Sequence, residues 1–327
     1  MPRQFIQALA KKENSYFCEI LSDVITEKEG PKLQNKNLLI QLLILKIYQP
    51  NQFKEIKGGH SNATYHHPTK NLVLRFPKAY NPLFPELSIE VQNLKLASLL
   101  NLTPLKIIAY YTKYSFLVTE FVSNNQSLSA DDLKKPNKLM ALARLVKNLH
   151  YSEFNFKKNV ETGISFIDEA SQCFQTILPI LNKKDHQVLK KLCGIKNFLA
   201  KSKVLLPSHG DLHHFNLIEN NGYLQLMDWE LSSMEDPAYD ISRLFCVTGF
   251  NTEQKEIFLK TYKHVYINLS AGDMKNLIKR IFLYESLNFY SIVTWAKYVM
   301  PHFDAVQQIL LKETIKNFSQ KDKLVRY

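Results

Sequence analysis

A chain of 327 residues with 45% hydrophobic residues can bury a large core and ordinarily divides into two lobes. Its four cysteines, Cys18, Cys173, Cys193 and Cys246, form no CxxC pair, which argues against a disulfide framework or a thiolate metal cage and fits a reducing compartment. The net charge of +12 favours anionic partners, but its lysines are spread along the chain with no RNP-like or helix-turn-helix signature, so no nucleic acid is expected as a partner.

The amino terminus is interrupted by charge too early for a secretory signal. The longest apolar stretch, Leu38–Tyr48, carries Gln41 and Lys46 and is too short to span a bilayer, so no transmembrane segment and a cytoplasmic location are expected. Residues 1–50 read as helical, and Lys36–Tyr48, apolar nearly all round, suits a buried helix packed on a lobe. Phe53–Ile56, Leu72–Phe76 and Phe116–Phe121 are short β-rich runs between turn residues, with the helical stretch Ser88–Leu100 placed before the third. Gly58-Gly59-His60-Ser61-Asn62 joins the first two. Glycines there let backbone amides approach phosphates without a Cβ in the way, though the segment is neither a Walker loop nor GxGxxG and by itself is a turn. From Ser127 onward helical patterns dominate: Lys138–His150, Phe166–Leu181, Asp185–Leu199, Asn251–Tyr266, Met274–Val299 and His302–Phe318.

One non-helical segment interrupts them. His209–Asn216 reads HGDLHHFN, and Asp228 follows Asn216 by twelve positions. Between them two apolar-alternating runs flank Asn220-Asn221-Gly222, a strong hairpin signal that returns Asp228 to the end where Asn216 lies. Moving the γ-phosphoryl group of a nucleotide needs Mg²⁺ held against its phosphates and a group that aligns the acceptor hydroxyl. Asp211 suits the second task; an amide oxygen from Asn216 and a carboxylate oxygen from Asp228 suit a hard cation that keeps several waters. An HGD triplet alone is common in turns, and an Asp before a Trp can simply end a strand. The three oxygen-bearing side chains at these spacings around a hairpin point to a phosphotransferase.

This segment resembles the catalytic loop and metal-binding segment of the choline/ethanolamine kinase and aminoglycoside phosphotransferase superfamily, which shares the protein-kinase fold, and MDWELSSMEDPAYDISRLF looks most like bacterial choline kinases and their thiamine kinase relatives. The resemblance implies an α+β, two-lobed protein-kinase-like fold. Residues 1–122 would form a small β-rich N-terminal lobe, with a helical extension over 1–50 and a nucleotide-binding sheet over 51–122; residues 123–327 would form a mainly helical catalytic lobe. It implies that Asp211 is the catalytic base, that Asn216 and Asp228 bind Mg²⁺, and that Glu230 lies close to the metal or substrate. His209 would buttress the loop and Asp240 brace it, while His213 and His214 match variable positions and read as loop residues.

For ATP, expected between the lobes, Gly58, Gly59, Ser61 and Asn62 are similar to the family's GG-x-SN loop. Arg75 takes the position where protein kinases use lysine, with Glu90 as its partner, and Glu120 to Val122 resemble the hinge whose backbone meets adenine. For the substrate, Tyr284, Trp295 and Tyr298 return to nearly one azimuth of a helix, and aromatics at such spacing form either core or a cation-binding cage. The helix resembles the family's substrate-pocket helix, which implies the cage, with Glu230, Asp236 or Glu285 as its carboxylate. One departure is Leu231, where choline kinases generally carry an aromatic residue. The expected function is ATP- and Mg²⁺-dependent phosphorylation of the hydroxyl of a small cationic alcohol, choline first, then ethanolamine or thiamine, then an aminoglycoside. The competing class is a non-catalytic kinase-fold protein that binds nucleotide or a partner, against which the intact set Asp211, Asn216 and Asp228 argues.

Overall fold

The computed structural model describes residues 54–56, 62–69, 71–77, 87–111, 116–123, 125–157, 194–195, 198–199, 201, 204–264 and 269–299, the side chains of 76–77, 111, 116, 125–127, 286 and 289–299 excepted. The expected helices within 1–50, Phe166–Leu181 and His302–Phe318, and all but the last few residues of Asp185–Leu199, lie outside the described residues, as do Gly58, Gly59 and Ser61. The chain divides into two compact units: Met1–Ser98 with Pro104–Asn124, and Leu99–Thr103 with Asn125–Tyr327.

Among its described residues the first unit is an antiparallel sheet with one helix. Its strands are β1 (Lys54–Glu55), β2 (Asn62–His67), β3 (Leu72–Pro77), β4 (Ile107–Tyr111) and β5 (Phe116–Glu120), in the order β1-β2-β3-β5-β4. β3 is central, with Arg75 opposite Thr64 on one side and Leu117 on the other. Helix α1 (Leu87–Leu99) buries Leu87, Val91, Leu94 and Ala97, a stripe at the spacing that keeps side chains on one helical face. The same stripe carries Glu90, which is buried although charged. Asn71, at φ 53°, turns the chain between β2 and β3 and exchanges hydrogen bonds with the backbone of Phe121, at 2.8 and 3.3 Å. His66 of β2 stacks on Phe121 at a centroid separation of 3.8 Å. Strands β2 and β4 are absent from the sequence reading.

The second unit is mainly helical. A three-stranded antiparallel sheet, β6 (Asn125–Ser127), β8 (Leu217–Asn220) and β9 (Tyr223–Leu226), has β8 in the middle, and β7 (Leu206–Ser208) pairs with β10 (Ser233–Glu235). The helices are α2 (Ala130–Leu133), α3 (Pro136–His150), α4 (Pro237–Thr248), α5 (Thr252–His264) and α6 (Ala271–Val299). Ser129 starts α2 with a capping box completed by Asp132, and Pro136, which lacks the N–H that a first turn cannot use, starts α3. Helix α3 buries Leu139, Leu142, Ala143, Val146 and Leu149. The β8–β9 hairpin closes through Asn221 and Gly222 at φ 51° and 82°, the two-residue turn whose twist matches the flanking strands. Leu99–Thr103 straps the outer edge of this hairpin, with Leu226 N–H donating to Leu102 O at 2.7 Å.

The antiparallel sheet of the first unit and the helical second unit are the α+β kinase-like organisation expected from the sequence. Among the described residues no helix is long and apolar enough to cross a membrane.

Helix α4 is anchored at its start by Asp236. Its Oδ1 accepts from Ala238 N–H at 3.0 Å and its Oδ2 from Arg280 Nε on α6 at 2.8 Å, and the side chain has no solvent exposure. The sequence reading places Asp236 beside the substrate; the structure instead commits this carboxylate to a cap and a buried ion pair. Tyr284, expected on a cage face, is likewise core: it is wholly buried, edge-on to Tyr239 at 5.7 Å. Truncating Asp236 removes a cap and strands the guanidinium of Arg280, so Asp236→Ala is expected to cost about 3–5 kcal/mol in urea or thermal unfolding, and Asp236→Asn, which keeps a capping oxygen, less. A cost below about 1 kcal/mol for the alanine variant contradicts this account of α4.

Candidate active site

Strand β7 delivers the chain into the loop His209-Gly210-Asp211. Ser208 is held by pairing with Ser233 and by its hydroxyl, which donates to Leu206 O and Glu235 O. Gly210 then turns at φ 80°, and a Cβ built there lies 2.1 Å from Leu231 O, so no side chain fits without moving the backbone. Both loop amides are aimed at one buried carboxylate. His209 N–H donates to Asp240 Oδ2 at 2.7 Å and Gly210 N–H to Asp240 Oδ1 at 2.8 Å, while His150 Nε2 lies 3.2 Å from Oδ2. Burial pushes the Asp240 carboxyl up, but the His150 and His209 contacts more than offset it and hold its pKa below the usual carboxylate range. The expected bracing of the loop by Asp240 is thus present in the structure.

His209 connects the loop to the segment beyond the hairpin. Asp211 N–H donates to its Nδ1 at 3.3 Å, which requires the proton to be on Nε2, and Nε2 donates to Met227 O at 2.8 Å. Both ring nitrogens are therefore used in the neutral form. Burial depresses the pKa of the ring against the pull of Asp240 and Asp211.

The Asp211 carboxylate is gripped at both oxygens. Arg243 Nε and Nη2 each lie 2.5 Å from Oδ1; Asn216 Nδ2 and His213 Nε2 lie 3.1 and 3.2 Å from Oδ2. Burial raises its pKa, but Arg243 and His213 prevail and hold it well below the ordinary carboxylate range. The guanidinium of Arg243 is raised in turn, Asp211 outweighing the effect of burial. Burial, with His213 adding to it, lowers His214 to about 4.

Asn216 ends a short 3₁₀ turn, His214–Asn216, and also donates from Nδ2 to Asp211 O at 2.9 Å. With Nδ2 so engaged, its Oδ1 has no hydrogen bond among the described residues. Asn216 O accepts from Met227 N–H at 2.9 Å, so Asp228 directly follows a residue bonded to both Asn216 and His209. Asp228 is half-buried and adopts φ 59°, a left-handed conformation that Asp tolerates better than most residues and that concentrates at functional positions. An amide oxygen and a carboxylate have the chemistry Mg²⁺ selects.

The other expected residues fall as follows. In the first unit Arg75 and Glu90 form a direct ion pair, with side-chain exposures of 16% and 5%. Asn62 begins β2, Glu120 ends β5 and pairs at the surface with Lys106 at 3.3 Å, and Val122 follows two residues on. In the second unit Glu230 is half-buried beyond Trp229, and Glu285 pairs with Lys255 at 2.5 Å. The side chains of Trp295 and Tyr298 lie outside the described residues. Two neighbours of Asp211 were not singled out by sequence: Arg243 and, as a contact, His213. The signal for Arg243 is its spacing of three from Asp240, which puts both on one face of α4.

The sheet unit followed by a helical unit carrying this loop defines a kinase-like phosphotransferase. Residues 52–275 match the model of the phosphotransferase enzyme family, and the chain belongs to that family. A LicA homolog of Mycoplasma capricolum is 26% identical over 181 residues, 55% of this chain and 67% of its own length. Among solved structures, choline kinase LicA from Streptococcus pneumoniae superposes with a TM-score of 0.68 at 20% identity, covering 87% of this chain and 99% of that one. A LicA complex with AMP gives 0.63 at 18% identity, covering 88% and 100%. These likenesses establish the fold.

The neutral His209 makes stability pH-dependent. A folded-state pKa below the unfolded value of about 6.5 contributes stability above that pH, and this is lost as pH falls toward the depressed folded value. Unfolding midpoints measured from pH 7.5 to 5 are expected to drop for the native chain and to drop less steeply for His209→Gln. Parallel profiles contradict a depressed His209 pKa in the folded chain.

Proposed function

We propose that this chain is an ATP- and Mg²⁺-dependent kinase that phosphorylates the hydroxyl of a small cationic alcohol, choline before ethanolamine or thiamine. The observation that carries the reading is the Asp211 carboxylate, oriented by Arg243, Asn216 and His213, with Asn216 and Asp228 flanking the hairpin that follows it. Phosphoryl transfer proceeds through a loose transition state with little covalent work for the protein, so positioning and charge stabilisation supply most of the rate.

In this reading Asp211 accepts a hydrogen bond from the acceptor hydroxyl and takes its proton as the bond from the γ-phosphorus to the bridging oxygen breaks, ADP leaves, and the new bond to phosphorus forms. A carboxylate held ionised by a guanidinium is a weak base, which suits a proton that leaves late. Asn216 and Asp228 would hold Mg²⁺, which when bound neutralises charge on the phosphate oxygens. Arg75 contributes a planar fork for phosphate oxygens, and Glu90 keeps that fork oriented. The likeness to a LicA structure containing AMP supports an adenine nucleotide, and the likeness to choline kinase LicA supports choline. Of the cage residues expected from sequence, Glu230, Trp295 and Tyr298 stay in the proposal; Tyr284 and Asp236 leave it because they are buried in packing and capping roles.

A nucleotide-consumption assay across choline, ethanolamine, thiamine and an aminoglycoside is expected to give the highest kcat/KM with choline, and silence with all four would sink the proposal. Asp211→Ala is expected to lower kcat by about a thousandfold or more while leaving nucleotide affinity nearly unchanged. Asp228→Ala is expected to abolish the Mg²⁺ dependence of nucleotide binding, read by titration calorimetry with and without the metal.

A further inference from the structure

Arg243 stands on α4 one turn beyond Asp240, so a single helix face carries both the carboxylate that holds the loop backbone and the cation that holds the loop's reactive side chain. The two oxygens of Asp211 are held unequally. Oδ1 receives two short charge-assisted bonds, from Nε and Nη2 at 2.5 Å each, which fill its acceptor capacity. Oδ2 receives the amide of Asn216 at 3.1 Å and the ring of His213 at 3.2 Å, both longer. An incoming hydroxyl that must donate to this carboxylate finds Oδ1 closed and Oδ2 open to exchange.

The guanidinium itself is tied down incompletely. Nη1 of Arg243 is buried and has no hydrogen-bond partner among the described residues. A buried unsatisfied donor costs stability and calls for an explanation other than stability. Arg243 therefore has the marks of a group placed for Asp211 at some cost to the fold.

We infer that Arg243 is a positioning residue for phosphoryl transfer: it locks Asp211 through Oδ1 so that Oδ2 alone meets the acceptor hydroxyl, with His213 as the donor displaced. The inference rests on the proposed role of Asp211 and adds to it the oxygen that acts and the residue that selects it. Without the fork the carboxylate turns about its last torsion, and the productive orientation becomes one of several.

The test compares Arg243→Ala, Arg243→Lys and Arg243→Gln with the native chain, after each is shown to unfold cooperatively. Arg243→Ala is expected to lose about a hundredfold in kcat, the scale of a small misplacement of a reacting group, while KM for ATP stays within about threefold. Arg243→Lys keeps the charge but not the fork and is expected to recover only part of the loss. Millimolar methylguanidinium is expected to raise kcat of Arg243→Ala at least about tenfold and to leave the native chain unchanged, which a purely structural role does not produce. A folded Arg243→Ala with near-native kcat overturns the inference, and so does a kcat loss that neither lysine nor methylguanidinium relieves. Failure of all three variants to fold also overturns it, because Arg243 is then a stabilising ion pair. A native chain that turns over no acceptor removes the proposed function and this inference together, whereas an active native chain with an indifferent Arg243→Ala removes the inference alone.

Discussion

The loop His209-Gly210-Asp211 depends on one buried carboxylate. Asp240 has no solvent exposure, yet it accepts from two consecutive backbone amides, of His209 and Gly210, and contacts the ring of His150. Each amide bond to a charged acceptor contributes about 1.5–3 kcal/mol, while taking a carboxylate out of water costs several. The net effect on stability is therefore small, and what the arrangement secures is geometry. Two successive N–H groups converge on one acceptor only if the chain bends sharply between them, and Gly210 supplies that bend by sitting at φ 80° against Leu231 O. The side chain that emerges next is Asp211.

A second constraint links the loop to the hairpin. The neutral ring of His209 accepts from Asp211 N–H and donates to Met227 O, so a single imidazole spans the start of the loop and the end of β9. Met227 is bonded again through its N–H to Asn216 O. Residue 228 is then determined by the hairpin register, Leu217 opposite Leu226, together with these two bonds. A slip of one residue in that register reverses the face of every β9 side chain and carries Asp228 away from Asn216. The two-residue Asn221-Gly222 turn admits no such slip, which makes this turn as necessary to the arrangement as the side chains of Asp211, Asn216 and Asp228.

Local signals were legible in the sequence and long-range ones were not. The Asn-Gly turn, the stripe of α3 and the loop His209–Asn216 each declare themselves within a dozen residues, because turn chemistry and helical period are local properties. Strand β2, Asn62–His67, was missed because NATYHH lacks β-branched alternation; it is a strand because β1 and β3 flank it. Tyr284 reads as a cage residue from its helical azimuth and from the likeness of its helix to the family's substrate-pocket helix, with Asp236 as a carboxylate beside the cage; one packing fact puts both in the core. Arg280, one turn of α6 before Tyr284, sits against the start of α4, so that stretch of α6 faces helix and not ligand. Arg243 was overlooked although it lies in the same segment as Asp240, because an arginine on an amphipathic helix ordinarily faces water; only tertiary packing turns it onto Asp211.

These packing facts bear on how the proposed enzyme would distinguish its substrate. Of the three carboxylates offered by the sequence for an ammonium group, Asp236 is paired with Arg280 and Glu285 with Lys255. A cation near an ion pair meets a dipole whose field falls off faster with distance than that of a lone charge, and salt screens it further. The Asp211 carboxylate is also compensated, since Arg243 lies against it. With +12 overall, the chain's field favours an anionic ligand over a cationic one. On the proposed reading, preference for choline over ethanolamine then has to come from apolar contact with the methyl groups and from cation–π attraction to aromatic faces, a contribution of about 0.5–2 kcal/mol per ring. Discrimination of that size is modest, which places the burden of efficient turnover on the aligned hydroxyl at Asp211 and not on the grip of the substrate's charge.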